Sequence, residues 1–135
     1  MGERRQARIA AFQALYAWEE SGETVESLLA FNWLDNKPEE PVLVFASLII
    51  KGTLDNVDRI DREIRSNLKK WSFERLSRVD LAILRIAAYE IIFQEDIPPT
   101  VTIDEAVEIS KKFSSPDSYK FVNGVLDGIR KANLS

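Results

Sequence analysis

The stretch Arg85-Ile86-Ala87-Ala88-Tyr89-Glu90-Ile91-Ile92-Phe93 predicts a helix that is apolar on nearly every side. A similar stretch, Arg8-Ile9-Ala10-Ala11-Phe12-Gln13-Ala14-Leu15-Tyr16, occurs near the start of the chain. Helices of this kind lie at the centre of a fold rather than on its surface. The repetition therefore predicts two packed helical subdomains, each built around one such helix. The alternative is a chance similarity between two alanine-rich helices.

The rest of the chain is also helical in pattern, because no segment shows a sustained alternation of apolar and polar residues. We predict an all-α fold, a single compact domain of about seven helices over residues 1–135, with subdomains 1–70 and 71–135. The predicted helical segments are residues 4–20, 24–34, 42–69, 77–93, 102–113 and 116–131, with a break near Trp71. A polar loop with two prolines separates the second from the third.

Three of these helices have recognisable start signals. Ser77-Arg78-Val79-Asp80 and Thr102-Ile103-Asp104-Glu105 fit the capping box, in which the fourth residue bonds back to the first. Ser115-Pro116 fits an N-cap followed by proline at the first helical position. Asp80 and Glu105 are therefore expected to be caps before anything else.

Composition limits the function classes. The chain has 135 residues, of which 45% are hydrophobic, and charges interrupt every apolar run before it could cross a bilayer. It has no cysteine, and its first residues lack the apolar centre of a secretion signal. We predict a cytoplasmic protein with no membrane association and no disulfide.

Catalysis is not expected. With no histidine and no cysteine, the commonest general base and the usual zinc ligands are missing. The five glycines form no phosphate-binding loop. The acidic residues are scattered along helical faces, as on solvated surfaces. We therefore predict a protein that is not an enzyme and has no catalytic residues, cofactor or metal.

A basic cluster opens the first predicted helix. Arg4, Arg5 and Arg8 share one side of it, because residues three and four apart lie on the same face, and Tyr16 lies further along. Guanidinium groups near an aromatic ring suit single-stranded RNA, since the charges bind phosphates and the ring stacks on a base. We predict that these four residues contact RNA. The alternative is a solvated basic turn and, for Arg8, a structural role like that of Arg85, its counterpart in the repeated stretch.

A second candidate site opens the last predicted helix, in Asp117-Ser118-Tyr119-Lys120-Phe121. Phe121 lies beside Lys120 and Asp117, off the apolar stripe that faces the core, and could stack a base or bind a partner. The alternative is that Phe121 packs against a neighbouring helix. The three tryptophans, Trp18, Trp33 and Trp71, are expected in the core or at its edge. Glu90 is expected to be buried beside an arginine or a helix N-terminus.

The net charge limits how strongly such a chain could hold RNA. The formal charge is −4 and the pI is about 5.0, so no positive field covers the molecule. A small arginine cluster neutralises few phosphates, and its affinity would fall as salt rises. We therefore expect a second RNA-binding subunit that extends the surface.

Four stretches, in order, resemble the NusB family of bacterial transcription antitermination factors. They are residues 4–16, residues 79–90, Ile97-Pro98 with residues 103–108, and residues 117–126. The resemblance covers nearly the whole chain, although residues 23–72 match only in general character. Two departures stand out: Gln6 interrupts the arginine cluster, and Tyr119 stands where the family often has a histidine.

The resemblance implies a two-lobed helical fold and a function. NusB-like proteins pair with NusE, a small-subunit ribosomal protein, and bind boxA RNA in ribosomal RNA leader transcripts within a transcription elongation complex. It implies RNA contacts and a partner surface at the positions already singled out. The RNA-binding residues would be Arg4, Arg5, Arg8, Tyr16, Lys120 and Phe121; the partner-binding residues would be Asp80, Asp117 and Phe121.

Two alternatives stay open. NusB-like domains also occur fused to ribosomal RNA cytosine methyltransferases, so the chain could be a detached RNA-targeting module. It could also be a helical homodimer that hides its arginine face.

Overall fold

The computed structural model describes residues 2–134, which form seven α-helices and one short 3-10 helix, with no strand among them. The helices are α1 (Glu3–Ser21), α2 (Val25–Ala30), α3 (Glu40–Asp55), α4 (Val57–Ser66), α5 (Arg78–Phe93), α6 (Pro99–Phe113) and α7 (Ser118–Ala132), and the 3-10 helix is Phe73–Arg75. The predicted all-α fold of about seven helices is confirmed.

Helix α5 is the centre of the molecule. Residues 81–90 are all buried, and α5 packs against α1, α3, α4, α6 and α7. Helix α1 packs on α3 and α5, with Ala7, Ala11 and Ala14 fully buried. The two repeated stretches thus form two contacting inner helices, as their apolar character predicts. The division into subdomains 1–70 and 71–135 stays a prediction, since one apolar core runs through both halves.

The predicted long helix over residues 42–69 is wrong, because Asn56 divides it into α3 and α4. The Asn56 backbone leaves the helical conformation, with φ −122° and ψ 19°. Its side-chain amide donates a hydrogen bond to the Gly52 carbonyl at 2.8 Å. A short amide side chain that bonds to nearby backbone competes with helix continuation.

The second helix is shorter than predicted. It ends at Ala30, because Phe31 adopts the left-handed conformation with φ 56°. The Trp33 indole N–H then donates to the Leu28 carbonyl at 3.0 Å and satisfies an acceptor of the last turn.

The predicted cap at Ser77 is confirmed, since its hydroxyl accepts from the Asp80 N–H at 3.1 Å. The predicted capping role of the Asp80 side chain is wrong, because this carboxylate accepts from the Ser114 hydroxyl at 2.6 Å instead of bonding back to Ser77. The predicted cap at Thr102 is wrong. Helix α6 begins at Pro99, directly after Pro98. Proline suits the first helical position because its φ is already helical and it has no backbone N–H that would need an acceptor. Thr102 lies buried inside the helix and donates to Glu90 Oε1 at 3.3 Å.

The last helix starts two residues later than predicted, at Ser118 rather than Pro116. Ser115 still helps to fix the start, because its carbonyl accepts from the Ser118 N–H at 3.0 Å. The two serine hydroxyls also lie 2.6 Å apart. This turn places Phe121 in the first turn of α7.

Candidate nucleic-acid interface

Arg8 lies in the core rather than on a basic surface, and its predicted contact with RNA needs correcting. Its side chain is 4% exposed, and the guanidinium donates to Glu90 Oε2 at 2.9 Å through Nε and to Oε1 at 2.7 Å through Nη2. A buried ion pair of this geometry fixes α1 to α5. The burial of Glu90 beside an arginine is confirmed, and Arg8 acts by holding α1 in place.

Arg85 repeats this arrangement. It is buried, and it donates to both carboxylate oxygens of Asp61 at 2.9 Å and to Glu19 at 3.1 Å. Burial acts to lower the pKa of Arg85, but the hydrogen bonds and charges of Asp61 and Glu19 raise it above its ordinary value. Both arginines of the repeated stretches therefore serve the fold.

Arg5 is half-exposed at the N-terminal end of α1 and faces α6. Its Nε donates to Glu105 Oε2 at 3.0 Å, and its Nη2 contacts the same oxygen. These hydrogen bonds to Glu105 raise the pKa of Arg5 above its ordinary value. The predicted capping role of Glu105 is wrong, because this carboxylate lies inside α6 and also approaches Arg8 Nη1 at 3.8 Å.

Arg4 faces the other way, toward α3. It is exposed, with its guanidinium carbon 4.7 Å from the centre of the Phe45 ring. Arg4 and Arg5 therefore lie on opposite sides of the buried Arg8. Tyr16 is 40% exposed and lines a hollow of about 220 Å³ with Phe12, Gln13, Val79 and Phe113. It lies roughly 16 Å along the helix axis from Arg5, at 1.5 Å per residue. The predicted α1 cluster is thus spread along the helix.

Phe121 forms an aromatic pair with Trp71, which precedes the 3-10 helix. The ring centres lie 6.3 Å apart with an angle of 74° between the planes. Phe121 is half-buried, whereas Trp71 is 61% exposed. The expectation that Trp71 lies in the core or at its edge is wrong, because this indole covers Phe121 from the solvent side.

A cationic hollow, named here the α7 cleft, lies on one side of this aromatic pair. Its volume is about 290 Å³. Its lining residues are Asn67, Lys69, Lys70, Trp71, Lys120, Phe121, Gly124 and Val125. Sequence reasoning missed Lys69, Lys70 and Trp71, although a pair of lysines followed by an aromatic residue is a local signal of nucleic-acid binding.

An acidic hollow of about 260 Å³ lies on the other side of the same pair. Two carboxylates, Asp80 and Asp117, and one cation, Arg75, line it, together with Ser77, Ser115 and Ser118. Asp80 is buried and accepts from the Ser114 hydroxyl at 2.6 Å. The structure thus brings the three predicted partner-binding residues, Asp80, Asp117 and Phe121, around one hollow.

Cations connect the α7 cleft with the start of α1. Lys120 Nζ lies 5.9 Å from the centre of the Tyr119 ring, and Lys111 Nζ lies 4.9 Å from the same ring. Lys111, Lys112 and Arg5 then line one hollow of about 250 Å³ beside Phe113. We name the surface formed by Lys120, Tyr119, Lys111, Lys112 and Arg5 the basic track. It joins the two regions that the sequence predicted separately.

Neither a membrane segment nor a metal cluster occurs in the part of the chain that the structure describes. No helix there combines the length and the apolar character needed to cross a bilayer. No group of three or more acidic side chains in residues 2–134 is arranged to hold a metal ion.

Comparison with known proteins gives consistent results. The family model described as the NusB family matches residues 5–131. The transcription antitermination protein NusB of Treponema pallidum (strain Nichols) is 50% identical over 131 residues, covering 96% of this chain and 93% of the relative.

Two solved structures share the fold. The T. maritima NusB structure has a TM-score of 0.88 and 43% identity, covering 98% of this chain and 93% of that one. A crystal structure of antitermination factors NusB and NusE in complex with dsRNA has a TM-score of 0.87 and 30% identity. The match covers 96% of this chain and 97% of that one.

Proposed function

Because this chain belongs to the NusB family, we propose that it binds RNA together with a NusE partner and acts as a transcription antitermination factor rather than as an enzyme. The observation that carries the RNA part is the basic track, which runs from the aromatic pair on α7 to Arg5 on α1. Two of its cations are paired with carboxylates, Arg5 with Glu105 and Lys111 with Glu108. A line of cations with rings along it still suits the backbone and the unstacked bases of single-stranded RNA, because phosphates can compete for exposed ion pairs.

In this proposal the RNA backbone follows the basic track. Arg5, Lys111 and Lys120 contact phosphates, and Phe121 stacks on a base. Arg4 extends the charge toward α3, where its contact with Phe45 holds the guanidinium at the surface. Tyr16 lies far enough along α1 to contact a different nucleotide. Arg8 takes no direct part, and its ion pair with Glu90 keeps the start of α1 in position.

The proposed place for NusE is the acidic hollow. Asp80 and Asp117 outnumber the single cation Arg75 in its lining, and Phe121 gives it an apolar wall. The hollow therefore suits basic and apolar side chains from a protein partner. Phe121 lies between this hollow and the α7 cleft, and both ligands would use it.

The resemblance to the family extends the proposal to boxA RNA in ribosomal RNA leader transcripts, within an elongation complex in the cytoplasm. A chain with a net charge of −4 and few phosphate contacts would bind such RNA weakly alone. We therefore expect NusE to raise the affinity by lengthening the RNA-binding surface. A titration with boxA RNA, with and without NusE, tests this directly, and equal affinities in both would contradict it.

Replacing both Arg5 and Lys120 with alanine is expected to weaken RNA binding while the melting temperature changes little. Lys120 is exposed and Arg5 is half-exposed, so their loss removes phosphate contacts from the surface. Arg5→Ala also breaks the ion pair with Glu105, which should cost at most about 1 kcal/mol at this exposure. Each lost contact should reduce the slope of log K against log salt by about 0.7, as for single-stranded RNA. The measurement is a fluorescence anisotropy titration with boxA RNA and NusE at several salt concentrations.

Lys51→Ala is the matched control for this variant. Lys51 is an exposed cation on α3, paired with Asp55 at 3.3 Å, and lines none of the hollows described above. Its loss should leave affinity and salt slope nearly unchanged. An unchanged salt slope in the Arg5, Lys120 variant would remove the basic track from the RNA site.

A further inference from the structure

We propose that the α7 cleft holds one unstacked RNA base against Trp71, and that Gly124 keeps the cleft open for it. This inference rests on the proposed function and deepens it, because it assigns a base-binding subsite and the two residues that form it. Neither residue was predicted to have a role from the sequence.

Gly124 has no structural reason to be glycine. It lies inside α7, where glycine costs roughly 1 kcal/mol of stability relative to alanine. A side-chain carbon built on Gly124 would meet no heavy atom within 4 Å, and the backbone does not have positive φ. The other two glycines inside described helices differ, since a carbon at Gly52 would overlap Tyr89 and one at Gly128 would overlap Asn67.

The space in front of Gly124 is the α7 cleft itself. A glycine on a helix surface leaves the backbone open to close approach by a ligand. Any larger side chain would project into the cleft and reduce its volume of about 290 Å³. A ligand that fills this space would explain why a glycine stands at this position.

Trp71 indicates which kind of ligand fits. It is 61% exposed, and its edge-to-face contact with Phe121 fixes the indole beside the cleft. A fixed aromatic face beside a small hollow suits a flat ring, and every nucleobase offers one.

The charges around the cleft favour a nucleotide over an apolar peptide. Lys69, Lys70 and Lys120 line it, and all three are exposed. In contrast with Lys51, Lys111 and Lys131, none of them has an acidic partner in the described part of the chain. Three cations without carboxylates beside a flat aromatic ring match a base with its flanking phosphates.

The cleft should add affinity without selecting a particular base. Asn67 is the one amide in its lining, and one of its two side-chain N–H groups already donates to the Glu63 carbonyl at 2.9 Å. Its amide oxygen lies against Gly128. Stacking on Trp71 then remains as the main contact, and stacking is tolerant of sequence.

The test compares Gly124→Leu with Gly124→Ala in anisotropy titrations with fluorescein-labelled boxA RNA in the presence of NusE. Leucine fills the cleft and should weaken binding about 5- to 150-fold, the range that corresponds to the loss of one base stack. Trp71→Ala should weaken binding to a similar degree. Combining Trp71→Ala with Gly124→Leu should cause little additional loss, because both changes remove the same contact. Alanine at Gly124 adds one methyl group and should have the smaller effect.

A second measurement follows the indole emission directly. Unlabelled boxA RNA should quench part of the tryptophan fluorescence of the wild-type chain, and Trp71→Phe should abolish that part. RNAs with one abasic position in turn should lose the quenching at a single position. This readout remains decisive even if Gly124→Leu fails to fold.

The outcomes separate the two proposals. If the wild-type chain with NusE does not bind boxA RNA, the proposed function fails and the subsite fails with it. If RNA binds but Gly124→Leu has no effect and Trp71 is not quenched, the subsite alone is overturned. If Gly124→Leu weakens capture of NusE without RNA and leaves RNA binding unchanged, the cleft is a protein-docking surface and the subsite is again overturned.

Discussion

Replacing Glu90 with glutamine is expected to lower the free energy of unfolding by about 3–5 kcal/mol, the usual cost of breaking a buried ion pair. The two side chains are 1% and 4% exposed, and Arg8 donates to both oxygens of Glu90. Glutamine keeps the shape but removes the charge, so a cation stays in the core. The next carboxylate, Glu105, is 3.8 Å from Arg8 and only partly compensates.

Urea unfolding followed by circular dichroism measures this effect. The matched control is Asp55→Asn, which makes the same chemical change in an exposed pair with Lys51 and should cost at most about 1 kcal/mol. Changing Arg8 to methionine together with Glu90 to leucine should regain most of the loss, because no unpaired charge then remains. A cost for Glu90→Gln as small as that of the control would mean that the Arg8 charge reaches water. Arg8 would then become a candidate RNA contact again.

Replacing Gly52 with alanine is expected to destabilise the fold by about 1–3 kcal/mol, the usual cost of overpacking a core. The added methyl group would overlap the Tyr89 ring. That ring cannot move freely, because it stacks on Phe93 with centres 5.6 Å apart and its hydroxyl accepts from Gln94 at 2.7 Å. The better helix propensity of alanine is too small to offset this overlap.

Gly124→Ala, the same change at another helical glycine, is expected to stabilise the fold. Its methyl group meets open space, so the free energy of unfolding should rise by up to about 1 kcal/mol. Thermal unfolding of the two variants side by side measures both effects. Destabilisation by Gly52→Ala should also shrink when Tyr89 is changed to leucine. If both glycine variants were equally stable, the close contact between Gly52 and Tyr89 would not be what restricts position 52 to glycine.

The two inner helices could be predicted from the repeated stretches because the apolar character of a helix is a property of its own sequence. A helix with ten consecutive buried residues, such as 81–90, leaves the same pattern wherever its neighbours lie. The confirmed Ser77 cap is also local, since donor and acceptor are three residues apart. The break at Asn56 was not predicted because an asparagine inside a helical pattern is common. Its side chain can equally well face solvent, and nothing in the local sequence selects the bond to the Gly52 carbonyl.

The candidate site depends more on contacts between distant residues, which sequence patterns do not record. Arg8 was predicted to be a surface residue because its helical position matches Arg4 and Arg5. Its partner Glu90 is 82 residues away. Trp71 and Phe121 are 50 positions apart in sequence and meet only in the folded chain. In contrast, Lys120 and Phe121 are neighbours in sequence and were found together.

The position of the aromatic pair between the α7 cleft and the acidic hollow has a thermodynamic consequence. If RNA occupies one side and NusE the other, each ligand restricts the same two rings that the second ligand needs. Whatever factor NusE adds to RNA affinity, RNA must add to NusE affinity, because coupling free energies between two binding sites are reciprocal. If the first ligand orders the two shared rings, the second ligand no longer has to bear that entropy cost, and assembly of the proposed ternary complex would be cooperative.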